Sequence, residues 1–527
     1  MKTHFSILWL TILACQLLVG QTHIKVKNPN TWTTDELEPY VGQEVIFDAP
    51  LLVTSNASSY NYTISTRRLF SPTNQVLPKF LNPQQYNALV SLNSSGAITI
   101  SGISGYHRCG EKIYNLRARV NSKSNLTFIS GEWRGNTRQY MDTVNVRRLV
   151  NIAGCDTCLL VCTSNLENYF IGNANHDRQR AKVIDALTHI DADLFGFIEI
   201  ESGDAAVKEV VSYLNSNLPH RNYTYVADGS SASGTDTKAA FVYDKNILKT
   251  YGELQIIGTG VGKNRKEMQV FEQKSNGERF IYSVNHFKAK TGGGTGADAD
   301  QKDGQGSYNA ARCEEAQAVI DRYRQRLAPQ LNEKDILIMG DLNAYAKEDP
   351  IRLMLDNGMI DLHRAFHADT SYSYQYNGLA GYLDHAICSQ SMFAQVRGAT
   401  GFHVNSDEND RYTYDKSSDQ TMFRYSDHDP VLVGLRLNNT ATYNPQPRIN
   451  NLDILGGHSN KLIIRDAQTA GGQDSFYGIY DVSGRVIVSP TRIESSVYVV
   501  DLPTASGIYI LYVYYGTQVY PYKFIVP

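Results

Sequence analysis

The sequence predicts an α/β layered unit set between two β-rich units. Three observations carry that expectation. At 527 residues the chain exceeds what one hydrophobic core organises, so several domains are expected. Between residues 155 and 437, apolar runs of strand length alternate with helical periodicity, the pattern of strands and helices packed in layers. On both sides of that stretch, short β-type runs are separated by Gly, Asn, Ser and Pro, and Tyr (34) outnumbers Phe (18). A hydrophobic content of 42% with 20% charged residues excludes wholesale disorder.

Taken in order, residues 1–20 read as a signal peptide. Lys2 supplies the positive start, and Phe5–Leu13 is an apolar run too short to span a bilayer. Gly20/Gln21 is the expected cleavage point, and lipoprotein processing at Cys15 fits less well after Leu13. The protein is therefore expected to be secreted or attached to the cell surface. No later stretch is long and apolar enough to span a membrane.

Residues 24–150 carry strand signals at Glu44–Phe47, Leu51–Thr54, Ala97–Ser101, Ile113–Val120 and Leu126–Ser130, which predict a small antiparallel barrel or sandwich. Residues 21–150 hold 14 Lys/Arg against 8 Asp/Glu, whereas residues 151–440 hold 29 against 39. The acidic segment fits a unit that uses carboxylates to hold cations. In 155–437, buried strands are expected at Cys158–Cys162, Leu194–Ile200, Ala239–Tyr243, Arg279–Val284 and Ile336–Met339, and helices at Arg178–Ile190, Ala205–Leu218 and Asn309–Leu327. Thr291–Gly306 is a Gly/Asp-rich insertion. It reads as a solvated flexible loop or as a structural Ca²⁺ site through Asp298, Asp300 and Asp303. Residues 438–449 form a polar, Pro-containing linker. Beyond it, evenly spaced strand signals from Lys461 to Val526 predict a small β-sandwich over 450–527.

Six cysteines follow the leader. Cys155, Cys158 and Cys162 have a spacing that suggests zinc. No nearby set completes a tetrahedral site, so disulfides or buried thiols are the expectation.

The chemistry lies in what ends each buried run. Cys158–Ser164 runs into Asn165 and Glu167, and Glu199 sits inside the apolar Leu194–Ile200. His286 follows Tyr282–Asn285, and Asp341 and Asn343 follow Ile336–Gly340. Asp384 and His385 follow Leu383, and Asp427, His428 and Asp429 precede Val431–Leu437. Singly, each reads as a turn former or a structural histidine. Glu199 differs, because a carboxylate in a buried strand is costly unless paired or metal-bound. Together these groups suit metal-assisted phosphoester hydrolysis. Oxygen ligands match a hard cation such as Mg²⁺, a carboxylate can accept a proton from water, and a histidine can stabilise or protonate a phosphoryl or leaving oxygen.

In order and spacing these motifs resemble the endonuclease/exonuclease/phosphatase superfamily over about residues 155–437. The closer similarity is to large secreted bacterial nucleases. It rests on Gly196–Glu201, on Val284–Lys290 followed by the Gly/Asp loop and Gly304–Arg312, and on Gly340–Tyr345. The resemblance implies a DNase I-like fold of two packed β-sheets flanked by helices, with the site at one edge. It implies that Glu167, Glu199 and Asp427 hold the metal, Mg²⁺ or alternatively Mn²⁺ or Ca²⁺. Asp341 would act on the attacking water, and Asn165 and Asn343 would position water and phosphate. His428, oriented by Asp384, and His286 would lie against the phosphate, with Arg265 as a phosphate-binding cation.

Residues 24–150 resemble the OB-like module attached to such nucleases. Trp133, Arg134 and Arg138 are either a nucleic-acid contact or, for Trp133, part of the barrel core. Residues 450–527 resemble a type IX secretion sorting domain, through Gly478–Arg485, Gly507–Leu511 and Lys523–Val526. This implies a Bacteroidota-type source and contact with outer-membrane secretion machinery. The expectation is a monomeric secreted nuclease acting on DNA, with RNA open. The alternatives are a phosphodiesterase or phosphatase for lipid or inositol phosphates, and a non-enzymatic adhesin. The last predicts loss of a site residue, and none is lost.

Overall fold

The computed structural model describes residues 22–55, 61–135, 138, 141, 143–258 and 265–437. In the C-terminal part it describes 452–456, 461–466, 475–481, 484–493, 497–503, 505, 507–515 and 518–526. The expected signal peptide and the linker at 438–449 lie outside the described residues.

The N-terminal unit contains β1 (Thr22–Ile24), β2 (Glu44–Phe47), β3 (Leu51–Val53), β4 (Asn61–Ser65), β5 (Ile98–Ser101), β6 (Lys112–Ser122) and β7 (Asn125–Arg134). Their order is β1-β2-β6-β3-β4-β5-β7, and β6 also pairs with β7. The strands β6-β3-β4-β5-β7 thus close on themselves, with β5 and β7 parallel. Alternation puts Ile98 and Ile100 of β5, and Leu116, Ala118 and Val120 of β6, into one core with Trp32 and Phe47, and Ile113 joins them across the irregularity at Asn115 (φ +51°). Helix α1 (Pro83–Gly96), which was not predicted, follows β4. Its polar run PQQYNALVSLNSSG has little apolar periodicity, and Asn82 caps it through Gln85 N–H.

The central unit is a sandwich of two six-stranded sheets. Its strands are β8 (Leu159–Tyr169), β9 (Leu194–Ser202), β10 (Tyr223–Tyr225), β11 (Ser233–Asp244), β12 (Leu248–Ile256), β13 (Lys266–Gln273), β14 (Arg279–His286), β15 (Ile336–Asp341), β16 (Ile360–Asp361), β17 (Tyr374–Tyr376), β18 (Leu379–Gly381), β19 (Asp384–Cys388), β20 (Val396–Gly401) and β21 (Val431–Leu435). The first sheet runs β10-β11-β9-β8-β21-β20 and the second β12-β13-β14-β15-β19-β16. Period two explains the layers. Leu159, Val161, Ile198, Tyr282, Val284, Leu337, Met339 and Ala386 meet between the sheets. Leu160, Cys162, Phe195 and Phe197 face the helices α2 (His176–Ile190) and α3 (Ala205–Asn217). Ile281, Ile336 and Ile338 face α4 (Asn309–Asp321) and α5 (Asp349–Asp356). The sheets approach closely at Gly196, where a Cβ would lie 2.4 Å from Val284 Cγ2 and 2.5 Å from the Tyr282 hydroxyl.

The C-terminal strands form two sheets, β22-β23-β26 and β25-β24-β27-β28. They are β22 (Leu452–Gly456), β23 (Lys461–Asp466), β24 (Ser475–Asp481), β25 (Val486–Arg492), β26 (Val497–Asp501), β27 (Gly507–Tyr515) and β28 (Gln518–Val526). Leu462, Ile464, Ile479, Leu511 and Val513 share their core.

The N-terminal unit docks on the central one through charge. Arg68 meets Asp407, Arg108 and Arg138 meet Glu408, and Arg138 also reaches Asp419. The opposite charge balances of the two segments therefore meet at their interface. This corrects the nucleic-acid expectation for Arg138. Arg138 is committed to the interface, Trp133 stacks on His107 at 3.5 Å beside the barrel core, and Arg134 pairs with Glu132.

The Gly/Asp insertion is also anchored. Lys79 N–H donates to Asp303 O at 2.8 Å, and Tyr86 of α1 lies against Gly304. Its carboxylates serve separate partners. Asp298 accepts from Ala311 N–H, Asp300 pairs with Lys302, and Asp303 accepts from Gln305. They do not gather as a Ca²⁺ cage. Cys155 and Cys158 form a disulfide, while Cys109, Cys162 and Cys388 are buried thiols, in line with the reading against zinc.

Candidate active site

The site continues the interior-facing rows of the sandwich past its apolar middle. On β14 the row Phe280, Tyr282, Val284 ends in His286, and on β15 Leu337 and Met339 lead to Asp341. On β8, Val161 leads through Thr163 to Asn165, and on β19 Asp384 precedes Ala386 and Cys388. Pairing brings them into line. His286 lies opposite Asp341 on the parallel β14–β15 pair, and Asp341 opposite Asp384 on β15–β19. Gly340 makes the approach possible: its φ is +129°, and a Cβ there would lie 2.0 Å from Asn285 O.

Glu199 reaches the same mouth by a different device. Plain alternation from Ile198 would turn it toward the helices. At this point Ile198 and Glu199 oppose the single residue Ala239 of β11, and Glu199 has φ +59°. That bulge re-aims the carboxylate. Glu167 (φ +50°) and Asn168 (φ +53°) bulge β8 beside it. Left-handed non-glycine residues cost about 1–3 kcal/mol each and cluster at functional sites.

The resulting contacts form two linked groups. Glu199 Oε1 accepts from Asn165 Nδ2 at 3.0 Å, and Oε2 from the Asn168 N–H at 3.0 Å. His286 Nε2 lies 3.7 Å from Glu199 Oε1 and 3.7 Å from Asp341 Oδ2. Asn343 holds Asp341, with its N–H at 2.8 Å from Oδ1 and Nδ2 at 3.2 Å from Oδ2. His428 Nδ1 meets Asp384 Oδ2 at 2.7 Å, leaving Nε2 3.9 Å from Asp341 Oδ2. Asp427, partly exposed, lies 4.0 Å from His428 Nε2.

The two histidines differ in charge state. Burial and the neighbouring Arg265 and His428 push His286 down to about 3, so it is neutral. Burial acts the same way on His428, but Asp384, Asp427 and Asp341 outweigh it and hold the imidazole well above its ordinary range. Burial pushes Asp341 up to about 8, with Asp384 and Glu199 adding to it against His428. Burial and then Asp427 push Glu167 up to about 8, and burial raises Glu199.

Crowded carboxyls with raised pKa values suit a bound cation, which would favour their ionised forms. Glu199, His286 and Asp341 place ligand atoms within 4.8 Å of one another, and Glu167 Oε2 is buried without a hydrogen-bond donor. These residues fit a hard divalent cation. Glu167 and Asp427, expected as ligands, lie outside that tight triad, while His286 and Asp341, expected on the phosphate and water side, lie within it. Arg265 stands near His286 and pairs with Asp236 at 3.2 Å. Sequence reasoning missed Ser373, Tyr374 and Asn168. Ser373 donates to Asp384 Oδ2 at 2.7 Å, and the Tyr374 ring lies 4.6 Å from that of His428. They lie in a polar, Tyr-rich stretch with no motif to mark them.

A two-sheet sandwich whose interior rows end in carboxylates and imidazoles at one edge defines a class of phosphoester hydrolases. A sequence profile described as the endonuclease/exonuclease/phosphatase family matches residues 151–428. The chain belongs to that family, whose members are phosphoester hydrolases, generally metal-dependent. Among solved structures, a family protein from Bacteroides thetaiotaomicron is similar at 18% identity, covering 53% of this chain and 95% of that one, with a TM-score of 0.38. A mannosyl-6-phosphatase from the same organism shows 18% identity over 52% of this chain and 98% of its own, with a TM-score of 0.37. A family protein from Beutenbergia cavernae shows 12% identity over 70% of this chain and 100% of its own, with a TM-score of 0.41. A search of curated protein sequences returns no match.

Proposed function

We propose that the protein is a secreted, divalent-metal-dependent nuclease that hydrolyses phosphodiester bonds of DNA, with RNA as a second substrate. One observation carries the reading. Two imidazoles of different charge state, neutral His286 and cationic His428, flank the same Asp341 oxygen, at 3.7 and 3.9 Å. The Asp341 carboxylate and the cationic imidazole together offer what a phosphodiester needs, a base for water and an acid for the departing alkoxide.

Asp341 in its ionised form can take a proton from water, and Asn343 fixes its orientation. His428, held protonated against Asp384, donates from Nε2 to a phosphoryl oxygen or to the leaving oxygen. Neutral His286 offers one N–H without adding charge, and Arg265 adds a cation at the same edge. Glu199, with Glu167 beside it, would hold Mg²⁺, Mn²⁺ or Ca²⁺ next to Asp341, and the ion would supply charge neutralisation at the phosphoryl oxygen.

The closed strand order of the N-terminal unit supports an OB-like module, and the two-sheet tail over 452–526 supports a type IX sorting domain that engages outer-membrane secretion machinery. A second reading is favoured by the interface arginines. Because they face the central unit, they are withdrawn from a nucleic-acid surface. That reading is a phosphodiesterase or phosphatase of the same fold for lipid or inositol phosphates.

The test is incubation of the full chain with plasmid DNA, total RNA and a lipid phosphodiester, with Mg²⁺ or with EDTA. EDTA-sensitive loss of plasmid, absent in Asp341→Ala and His428→Ala, is the expected result. Intact nucleic acid beside a cleaved lipid would move the assignment to the second reading.

A further inference from the structure

The groups that flank the His428–Asp384 pair are held in part from outside the catalytic sandwich. Ser373 and Tyr374, on Asp384 and His428 respectively, open the hairpin β17–β18. Among the described residues, this hairpin is a two-stranded sheet of its own, paired with neither main sheet. A lone hairpin is marginal in water, so its position depends on what it leans against.

It leans on the N-terminal unit. The Ala380 N–H donates to Leu69 O at 2.8 Å and the Ser71 N–H to Ala380 O at 2.8 Å, which makes a parallel bridge at Phe70. Asn74 Oδ1 accepts from the Tyr382 N–H at 3.1 Å, two residues before Asp384. Arg68 donates to Asp407 Oδ1 at 2.9 Å and lies 4.1 Å over the ring of Tyr372, whose hydroxyl donates to Asp407 Oδ2 at 2.8 Å. Tyr372 stacks on His403 at 3.9 Å, and His403 meets Asp429 at 2.8 Å. The Asp429 N–H then donates to Ser373 O at 2.8 Å, next in the chain to both Tyr374 and His428.

We infer that Arg68 and the Leu69–Asn74 segment are positioning residues for the His428–Asp384 pair, acting through the β17–β18 hairpin and the Tyr372–Asp407 contact. The N-terminal module is then part of the catalytic apparatus rather than an appended binding unit. The inference rests on the proposed role of His428. Its physical basis is tolerance: a reacting group must be held within about 0.5 Å, and a misplacement of about 1 Å can cost 10²-fold.

The test uses the full chain with Mg²⁺ and bis(p-nitrophenyl) phosphate, a diester that needs no nucleic-acid surface. His428→Ala should abolish turnover. Retained turnover there overturns the proposed function and this inference together. Arg68→Ala should lower kcat about 10- to 100-fold with KM within about twofold, and Arg68→Lys, which keeps the cation but not the plane over Tyr372, should lose less. In a Tyr374→Ala background, Arg68→Ala should add little further loss. The exposed Arg119→Ala, on the same module, should keep kcat. Should Arg68→Ala fail to fold, Arg68→Lys carries the same kcat-against-KM reading. Unchanged kcat with His428→Ala inactive, a loss confined to KM, or full additivity with Tyr374→Ala overturns the inference and leaves the proposed function standing.

Discussion

At the scale of single residues, the site works because the same fold gives chemically identical side chains different states. His286 and His428 meet one carboxylate, yet one is neutral and the other cationic, because Asp384 touches only His428. Asp384→Asn keeps the shape and removes the charge. It is expected to lower kcat by about 10²–10⁴ while substrate affinity changes little, as when the orienting carboxylate of a catalytic imidazole is neutralised. Steady-state kinetics on a small diester checks this. The raised carboxyls give a pH prediction. Asp341 and Glu167 bind protons up to about pH 8 when folded, against an ordinary value of about 4 when unfolded. Their contribution to stability therefore falls as pH rises from about 4 to about 8. A divalent cation binds the ionised forms, so Mg²⁺ should raise the thermal midpoint more at pH 8 than at pH 6. Asp341→Asn should shrink that difference, and thermal unfolding with and without EDTA measures both.

At the scale of elements, strand termini and bulges carry the site. Alternation along β8, β14, β15 and β19 places Asn165, His286, Asp341 and Asp384 on the interior face, so the rows are readable from their hydrophobic members alone. Gly340 is the point where β14 and β15 can come close enough. Gly340→Ala is expected to cost about 3 kcal/mol, from a left-handed φ together with a Cβ against Asn285 O. It should also reduce activity by displacing Asp341, and denaturant unfolding paired with an assay reads both. The predicted strands were recovered, several of them short. β8 was expected to end at Cys162 but continues to Tyr169, because polar site residues lie inside the strand and dilute its apolar signal. Helix α1 escaped notice for the converse reason, having only a weak apolar stripe to bury.

At the scale of the whole molecule, charge ties the N-terminal and central units together. Glu408 is fully buried and depends on Arg108 and Arg138 from the other unit. Arg108→Ala leaves that carboxylate half-paired. Removing one partner of a buried pair costs about 3–5 kcal/mol, and the remaining Arg138 places the expected loss at the lower end. A fall in the thermal midpoint of the central unit, with little change for the exposed Arg134→Ala, is the check. Part of the expected basic surface is this interface, where Arg68, Arg108 and Arg138 face the central unit, while Arg117, Arg119, Lys123 and Arg134 stay exposed, since net charge counts residues and not the directions they face.

Composition, period and the order of motifs were enough to expect the sheet-and-helix layers and to nominate ten candidate site residues, because each of these is written in local runs and their ends. The mutual geometry of those residues was not written there. Glu199 entering the site through a bulge, His286 and Asp341 sharing donor space, Ser373 and Tyr374 lying against the His428–Asp384 pair, and Arg68 reaching Tyr372 all depend on long-range register and on docking between units. Those contacts join residues from about ten to more than three hundred positions apart, the farthest being Arg68 and Asp407, and local pattern holds no record of which distant segment will be adjacent.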